Sequence, residues 1–152
     1  MIKIGKAEKG DLQEILDLQY LSYQSEAKLF NSTDIPPLKQ TLKDVITEYD
    51  QGIILKATSL NNEIIGSVRS YEKNDTVYIG KLMVKPSMQG KGIGTKLLNA
   101  IEKEYKDKRY ELFTSTKSIK NIDLYTRQGY KIFKEKKITE ELTFVYLQKI
   151  NN

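Results

Sequence analysis

Three glycines fall within five positions, Gly90, Gly92 and Gly94, in the stretch "KLMVKPSMQGKGIGTKLL". An apolar run precedes them and an apolar pattern of helical period follows, so the chain must turn from strand to helix on nearly bare backbone. Glycine lets that turn adopt positive φ and removes the Cβ atoms that would hold a ligand away. A helix N-terminus leaves its first N–H groups unpaired and carries partial positive charge. Bare backbone at such a point can cradle an anion such as a phosphate. Gln89 adds an amide donor, Thr95 a hydroxyl, and Lys91 and Lys96 add charge. A tight turn with no ligand needs only one glycine; three with a polar and basic fringe point to an anion site, which several phosphate ligands would fit.

Two familiar phosphate loops do not fit. The P-loop requires Gly-Lys-Ser/Thr, whereas Gly94-Thr95-Lys96 inverts the last two. The dinucleotide fingerprint requires Gly-x-Gly-x-x-Gly after the first strand of a parallel sheet. The spacing in this chain is Gly-x-Gly-x-Gly, and hairpins precede it.

Along the chain, "MIKIGK" reads as a short strand. Leu12, Ile15, Leu16 and Leu18 mark a helix running toward Tyr23, with Asp11 as N-cap and Glu14 as its capping-box partner. Pro36 and Pro37 enforce an extended loop, and "LKQTLKDVITEYD" is a second helix ending near Gly52. The period then changes. "GIILKATSL" and "EIIGSVRSYE" form a hairpin turning at Asn61-Asn62, and a turn at Asn74-Asp75 leads into "TVYIGKLMV". Ile93, Leu97, Leu98, Ile101 and Tyr105 share one face of a helix from about Gly92 to Lys106. "YELFTST" is a strand, "SIKNIDLYTRQ" a short helix stopped by Gly129, and "YKIFKEKK" and "LTFVYLQKI" close the chain as strands. The order β-αα-βββ-α-β-α-ββ is that of a mixed α/β domain, read as one unit over residues 1–152.

Composition narrows the chemistry. With no cysteine and no histidine, disulfides, thiolate metal sites, a cysteine nucleophile and a Ser-His-Asp triad are excluded. Proton transfer falls to Glu, Asp, Tyr, Lys or water, and no metal is expected. The net charge of +5 comes from stretches that also carry acids, which reads as solvated surface rather than a nucleic-acid face. No apolar run reaches the ~18 residues of a membrane span, and "MIKIGKAEKGDLQ" lacks a signal-peptide core. The expectation is a cytoplasmic protein without a membrane partner.

Gln89-Gly90-Lys91-Gly92-Ile93-Gly94 resembles the Gln/Arg-x-x-Gly-x-Gly/Ala motif of the GNAT N-acetyltransferases. "NIDLYTRQGY" resembles that family's Asn-x-x-x-Tyr-x-x-x-Gly-Phe/Tyr helix, in this chain Asn121, Tyr125, Gly129 and Tyr130. Pro86, the apolar strand end and the element order agree across essentially the whole chain. The resemblance implies a GNAT fold: a mostly antiparallel sheet of about seven strands, splayed at the acetyl-CoA site and flanked by about four helices. It implies that Gln89, Gly90, Lys91, Gly92, Ile93, Gly94, Thr95 and Lys96 hold the pyrophosphate of acetyl-CoA. Leu82, Met83 and Val84 would pair with the pantetheine arm as an added strand. Asn121 would bond the arm from the other side, Tyr125 would act as general acid at the thioester sulfur, the alternative being a packed aromatic, and Arg127 would either contact the nucleotide phosphates or be no more than surface.

The implied reaction is direct acetyl transfer to a primary amine of a small molecule or protein, by a monomer or homodimer. The backbone N–H near Val84 would stabilise the oxyanion. Many relatives carry a carboxylate base on the central strand. "TVYIGKLMV" has none and carries Lys81 instead, which leaves Glu26, Glu72 or water. Tyr20, Tyr23, Glu26, Phe30 and Asn31 would line the acceptor pocket and suit a cationic amine, whereas Arg69 and Lys81 would suit a carboxylate-bearing acceptor. The plainer reading is that the tyrosines pack the core and the charges snorkel outward. A non-catalytic acyl-CoA-binding module that regulates a partner is the competing function.

Overall fold

Hydrophobic alternation decides which face each strand gives to which helix. In a computed structural model that describes residues 1–29 and 35–150, the strands are β1 (Lys3–Lys6), β2 (Ile53–Thr58), β3 (Ile64–Lys73), β4 (Thr76–Val84), β5 (Arg109–Ser115), β6 (Lys131–Lys137) and β7 (Thr143–Ile150). The helices are α1 (Leu12–Leu29), α2 (Leu42–Gln51), α3 (Ile93–Lys103) and α4 (Ile119–Arg127). In β2, Ile54 packs with Leu12, Ile15 and Leu16 of α1 and Val45 of α2. Its neighbour Leu55 points to the opposite face, with Leu97, Leu98 and Ile101 of α3. Ile64–Ser70 of β3 are buried without interruption, as expected of a strand covered on both faces. Among the described residues no helix is long and apolar enough to cross a membrane.

The seven strands form one sheet in the order β1-β2-β3-β4-β5-β7-β6. Every pairing is antiparallel except β4 with β5. That parallel pair spans only Thr76–Tyr78 against Arg109–Glu111, so β4 and β5 separate beyond Tyr78. A bulge accompanies the separation: Met83 faces Ser67 but Gly80 faces Arg69, and Lys81 in between has φ +51°. An extra residue of this kind bends and twists its strand. This is the splayed, mostly antiparallel sheet with four helices expected from the sequence.

One helix start and one helix end differ from expectation. Asp11 ends a 3-10 turn (Lys9–Asp11), and its carboxylate accepts the Glu8 N–H at 2.8 Å, so the capping box is Glu8 with Asp11. Glu14 is drawn instead to the first N–H of β3, at Ile64, 2.9 Å away. The helix after the glycines begins at Ile93 and ends at Lys103, one turn short of Lys106.

Between α1, α2 and the sheet lies a polar core. Arg69 of β3 is 4% exposed. Its Nη2 donates to Gln19 Oε1 (2.5 Å) and its Nη1 to Gln40 Oε1 (3.0 Å) and Glu48 Oε2 (3.3 Å). Removing one member of a buried pair leaves the other charge uncompensated. Glu48→Ala should therefore lower stability by about 3 kcal/mol, or about 6–12 °C in Tm. Glu48→Gln, which keeps an acceptor for Arg69, should cost less. Thermal denaturation followed by circular dichroism checks this, and equal losses for the two variants would remove charge as the cause.

Candidate active site

The gap between β4 and β5 opens into a cleft of about 790 Å³. One wall is α1, through Ser22, Tyr23, Ser25 and Glu26; the floor is Leu82, Met83 and Val84 of β4. The glycine turn and the first turn of α3 form one end. The other wall is α4 and the turn before it, through Lys117, Ser118, Ile119, Lys120, Asn121, Leu124 and Arg127.

Gly90 and Gly92 both have φ +79°, and a Cβ built on either meets no atom within 4 Å. Their hydrogens thus face open space, on backbone that L-residues disfavour. Gly92 is the N-cap of α3 and offers no side-chain cap. The first amide of this turn to find a carbonyl is Lys96 N–H, which donates to Gly92 O at 3.1 Å. The N–H groups of Ile93, Gly94 and Thr95 are left for a ligand, and all three residues line the cleft. A backbone cradle at a helix N-terminus, continuous with a narrow strand gap, fits a diphosphate joined to an extended arm. Gln89 holds the turn to the strand end, its Nε2 donating to Val84 O at 3.3 Å.

Val84 contributes its backbone. Lys85 N–H donates to Ile65 O at 2.8 Å, which fixes the phase of the β3–β4 ladder. In an antiparallel pair alternate residues bond to the neighbouring strand. Val84, opposite Gly66, therefore turns its N–H away from β3 and into the gap that β5 has left.

Among the described residues, Glu26 is the only carboxylate that lines the cleft. It accepts the Ser118 hydroxyl at 3.0 and 3.2 Å and the Asn121 Nδ2 at 3.5 Å, tying α1 to α4 across the cleft. Asn121 Nδ2 also donates to Thr114 Oγ1 at 3.3 Å. Beside Glu26, burial holds the Tyr23 hydroxyl well above the usual tyrosine range, and the Glu26 charge adds to this.

Several residues expected at the site lie elsewhere. Tyr125 is 6% exposed and packs in the core with Tyr130, ring centroids 6.1 Å apart, behind the cleft wall rather than in it. Burial, then Tyr23 and Glu26, raise its hydroxyl pKa far above the ordinary value. Glu72 sits at the exposed end of β3, paired with Lys108 at 3.0 Å, where the strand has run past the gap. Lys91 and Lys96 are exposed and outside the cleft wall, because the positive-φ turn directs backbone rather than these stems at the cradle. Tyr20 gives its hydroxyl to the Gln40 carbonyl, below α1. Phe30 and Asn31 fall outside the described residues. Arg69 is sealed in the polar core, and Lys81 is half-buried beside it.

The basic residues that do line the cleft are Lys117, Lys120 and Arg127. Within α4, Lys120, Asn121, Leu124 and Arg127 recur at spacings of three and four, one helical face, and Lys117 joins them from the turn before it. That period was present in the sequence.

The profile of the family described as "Acetyltransferase (GNAT) family" matches residues 12–130. The chain is 30% identical over 120 residues, 78% of its length, to the UPF0157 protein YqkA of Bacillus subtilis (strain 168), and spans about a third (34%) of that curated relative. Among solved structures it resembles the ribosomal-protein-S18-alanine N-acetyltransferase from Escherichia coli, with TM-score 0.82, 15% identity, and coverage of 100% of this chain and 96% of the other. It also resembles the PaiA N-acetyltransferase from Thermoplasma acidophilum in complex with coenzyme A, with TM-score 0.79, 18% identity and 99% of each chain covered. A third is yncA from Salmonella typhimurium with its cofactor acetyl-CoA, with TM-score 0.78, 17% identity, and 100% and 95% coverage. At these identities the structural likeness is one of fold; the profile match over most of the chain goes further, and the chain belongs to the GNAT acetyltransferase family.

Proposed function

We propose that this chain is an acetyl-CoA-dependent N-acetyltransferase domain acting on a primary amine. The observation that carries the proposal is the continuity of three features: a glycine cradle at the N-terminus of α3, the gap beyond Tyr78, and the Glu26 carboxylate in the wall of the same cleft. Two solved relatives in fold contain acetyl-CoA or coenzyme A, which agrees with the fit of the cradle to a diphosphate.

Bound acetyl-CoA would supply a thioester at the end of β4. Gly90, Gly92, Ile93, Gly94 and Thr95 would hold its pyrophosphate by backbone, with Lys117, Lys120 and Arg127 adding charge from the opposite wall. Asn121 and the free backbone edge of Leu82, Met83 and Val84 would align the arm. The Val84 N–H would donate to the developing oxyanion without reorganising, because the strand already fixes it. Glu26 would accept the proton of the attacking amine, directly or through water. Tyr125 is proposed as a hydrogen-bond donor toward the leaving sulfur. Its raised pKa keeps the hydroxyl protonated and makes outright proton transfer to a thiolate, whose ordinary pKa is ~8.5, uphill.

Acetyl-CoA at about 100 times its Kd should raise Tm by about 5–10 °C through binding to the folded state alone. Absence of a shift at millimolar acetyl-CoA would refute the cofactor assignment. The withdrawal of Tyr125 from the cleft wall favours a second reading, a module that binds acyl-CoA and regulates a partner without catalysis. A Tm shift with no thiol release from any amine would select that reading.

A further inference from the structure

Along the sequence, Lys131–Lys137 mixes four cations with one acid, but the edge strand β6 sorts them by face. Its pairing with β7 skips Phe133, so the alternation of side chains changes phase there. Glu135 pairs with Val145, whose side chain lies in the core shared with α3 and α4. Lys131, Lys134 and Lys136 pair with Gln148, Tyr146 and Phe144, which point to the opposite face.

That face is aromatic. Phe113 of β5 meets Phe144 and Tyr146 of β7, with ring centroids 4.8 and 5.5 Å apart, and Phe133 meets Tyr146 at 6.5 Å. Arg109 lies over the Phe133 ring at 5.1 Å, and Lys134 over the Tyr146 ring at 4.8 Å. The band continues onto β3 and β4, where Tyr71 and Tyr78 stack at 5.1 Å. Helices α1 and α2 cover this side of the sheet over Ile54, Ile64 and Met83. Beyond them the rings stay open: Phe113 is 50% exposed and Phe133 40%.

The charges on this face do not cancel. Over β5, β7 and β6 its one carboxylate among the described residues is Glu111, which Arg109 holds at 2.8 Å. Lys131, Lys134 and Lys136 have no carboxylate partner among the described residues. Lysines on an edge strand also deter pairing with another sheet, but that role is indifferent to the face they take and leaves the rings unexplained. A second copy of the chain would set one cationic face on another. An acidic peptide would answer the charge, but an open sheet offers it planes rather than pockets for its side chains.

We propose that this face binds a single strand of nucleic acid, its bases stacked on the rings of β5, β7 and Phe133 and its phosphates along the lysines of β6. A row of cations beside a platform of rings matches a chain that carries charge on one side and flat groups on the other. None of these residues lines the cleft, so the site is separate from the one assigned to acetyl transfer and does not depend on it.

The test is fluorescence anisotropy of a labelled single-stranded dodecanucleotide of mixed sequence, as RNA and as DNA, titrated with the whole chain. Binding should weaken with salt at a log–log slope of about −2, the release expected from three lysines on a single strand. Lys131→Ala, Lys134→Ala and Lys136→Ala combined should remove most of that slope. Lys9→Ala, Lys43→Ala and Lys103→Ala combined, at exposed positions elsewhere, should change affinity by no more than about threefold. Phe113→Leu keeps apolar bulk but loses the ring plane, and should weaken binding about 5- to 100-fold with Tm unchanged. Phe133→Leu serves the same purpose if Phe113→Leu lowers Tm. No binding of either single strand at 50 mM salt, a probe condition of about a 14 Å Debye length, overturns the proposal. Equal binding of the duplex, equal losses from the two lysine sets, or unchanged affinity in both leucine variants reduces the contact to net charge and overturns it as well. Tighter binding of a polyglutamate dodecamer would assign the face to an acidic protein, and a dimer that Phe113→Ala dissolves in sedimentation would assign it to a second copy. Displacement of the oligonucleotide by saturating acetyl-CoA would move it to the cleft.

Discussion

Gly92→Glu is expected to weaken acetyl-CoA binding by at least about 100-fold while the domain stays folded, two effects with separate causes. At φ +79° any L-residue is strained, at a cost of roughly 1–2 kcal/mol to the fold. A Cβ at this position meets no protein atom within 4 Å, so the new side chain does not force the turn apart from within. It projects instead into the space assigned to the pyrophosphate, and brings a carboxylate to a helix N-terminus. Negative charge at a helix N-terminus is favourable to the helix dipole, so α3 survives while the space for the cofactor's anion holds the wrong one. Calorimetric titration with acetyl-CoA reads the loss, and a Tm within about 8 °C of wild type shows that the fold is retained. Gly92→Ala separates the terms: it carries the strain without the charge and should lose far less affinity. Retained affinity in Gly92→Glu would place the pyrophosphate elsewhere.

The glycines made this end of the cleft legible in the sequence because backbone requirements leave a residue-type signature. The same holds for the element order, since the change of period from 3.6 to 2 after Gly52 and the turn residues at Asn61-Asn62 and Asn74-Asp75 are local signals. What was not legible depended on side chains meeting across the fold. Glu26 and Glu72 are both glutamates in polar surroundings of the sequence, and no local motif marks either as catalytic. The splay of β4 from β5 leaves one facing the gap and the other paired with Lys108. Arg69 and Lys81 carry the same charge, yet three polar residues from α1, α2 and the loop between them enclose the first and leave the second unpaired. Tyr125 sits within a motif, but a motif gives chain position and not the angle of α4 that turns the ring into the core. Asp11 lost its expected role for a similar reason. Glu14 found a better donor in Ile64 of β3, and the cap was made one turn earlier.

Glu26→Gln should lower kcat by about 100- to 1000-fold with acetyl-CoA affinity changed by no more than about threefold. Glutamine keeps the length of the side chain and an oxygen to accept from Ser118, so the tie between α1 and α4 persists. It removes the one carboxylate that lines the cleft among the described residues, and with it the group assigned to the amine proton. If Glu26 served only to hold the two walls together, its loss would register in cofactor binding, because Asn121 and Ser118 line the same cleft. The split between kcat and Kd therefore distinguishes a base from a strut. Glu26→Ala supplies the contrast: it cuts the tie as well as the base, and should weaken acetyl-CoA binding in addition to slowing turnover. Tyr125→Phe should be milder, about tenfold or less in kcat, since a hydroxyl of raised pKa held behind the wall contributes a hydrogen bond to the leaving group rather than a full proton. A Tyr125→Phe loss matching that of Glu26→Gln would overturn this ranking, because it would make the hydroxyl a full proton donor to the sulfur rather than a hydrogen-bond donor. Equal kcat in Glu26→Gln and wild type would leave water as the base and reduce Glu26 to the cross-cleft tie that its bonds to Ser118 and Asn121 already form.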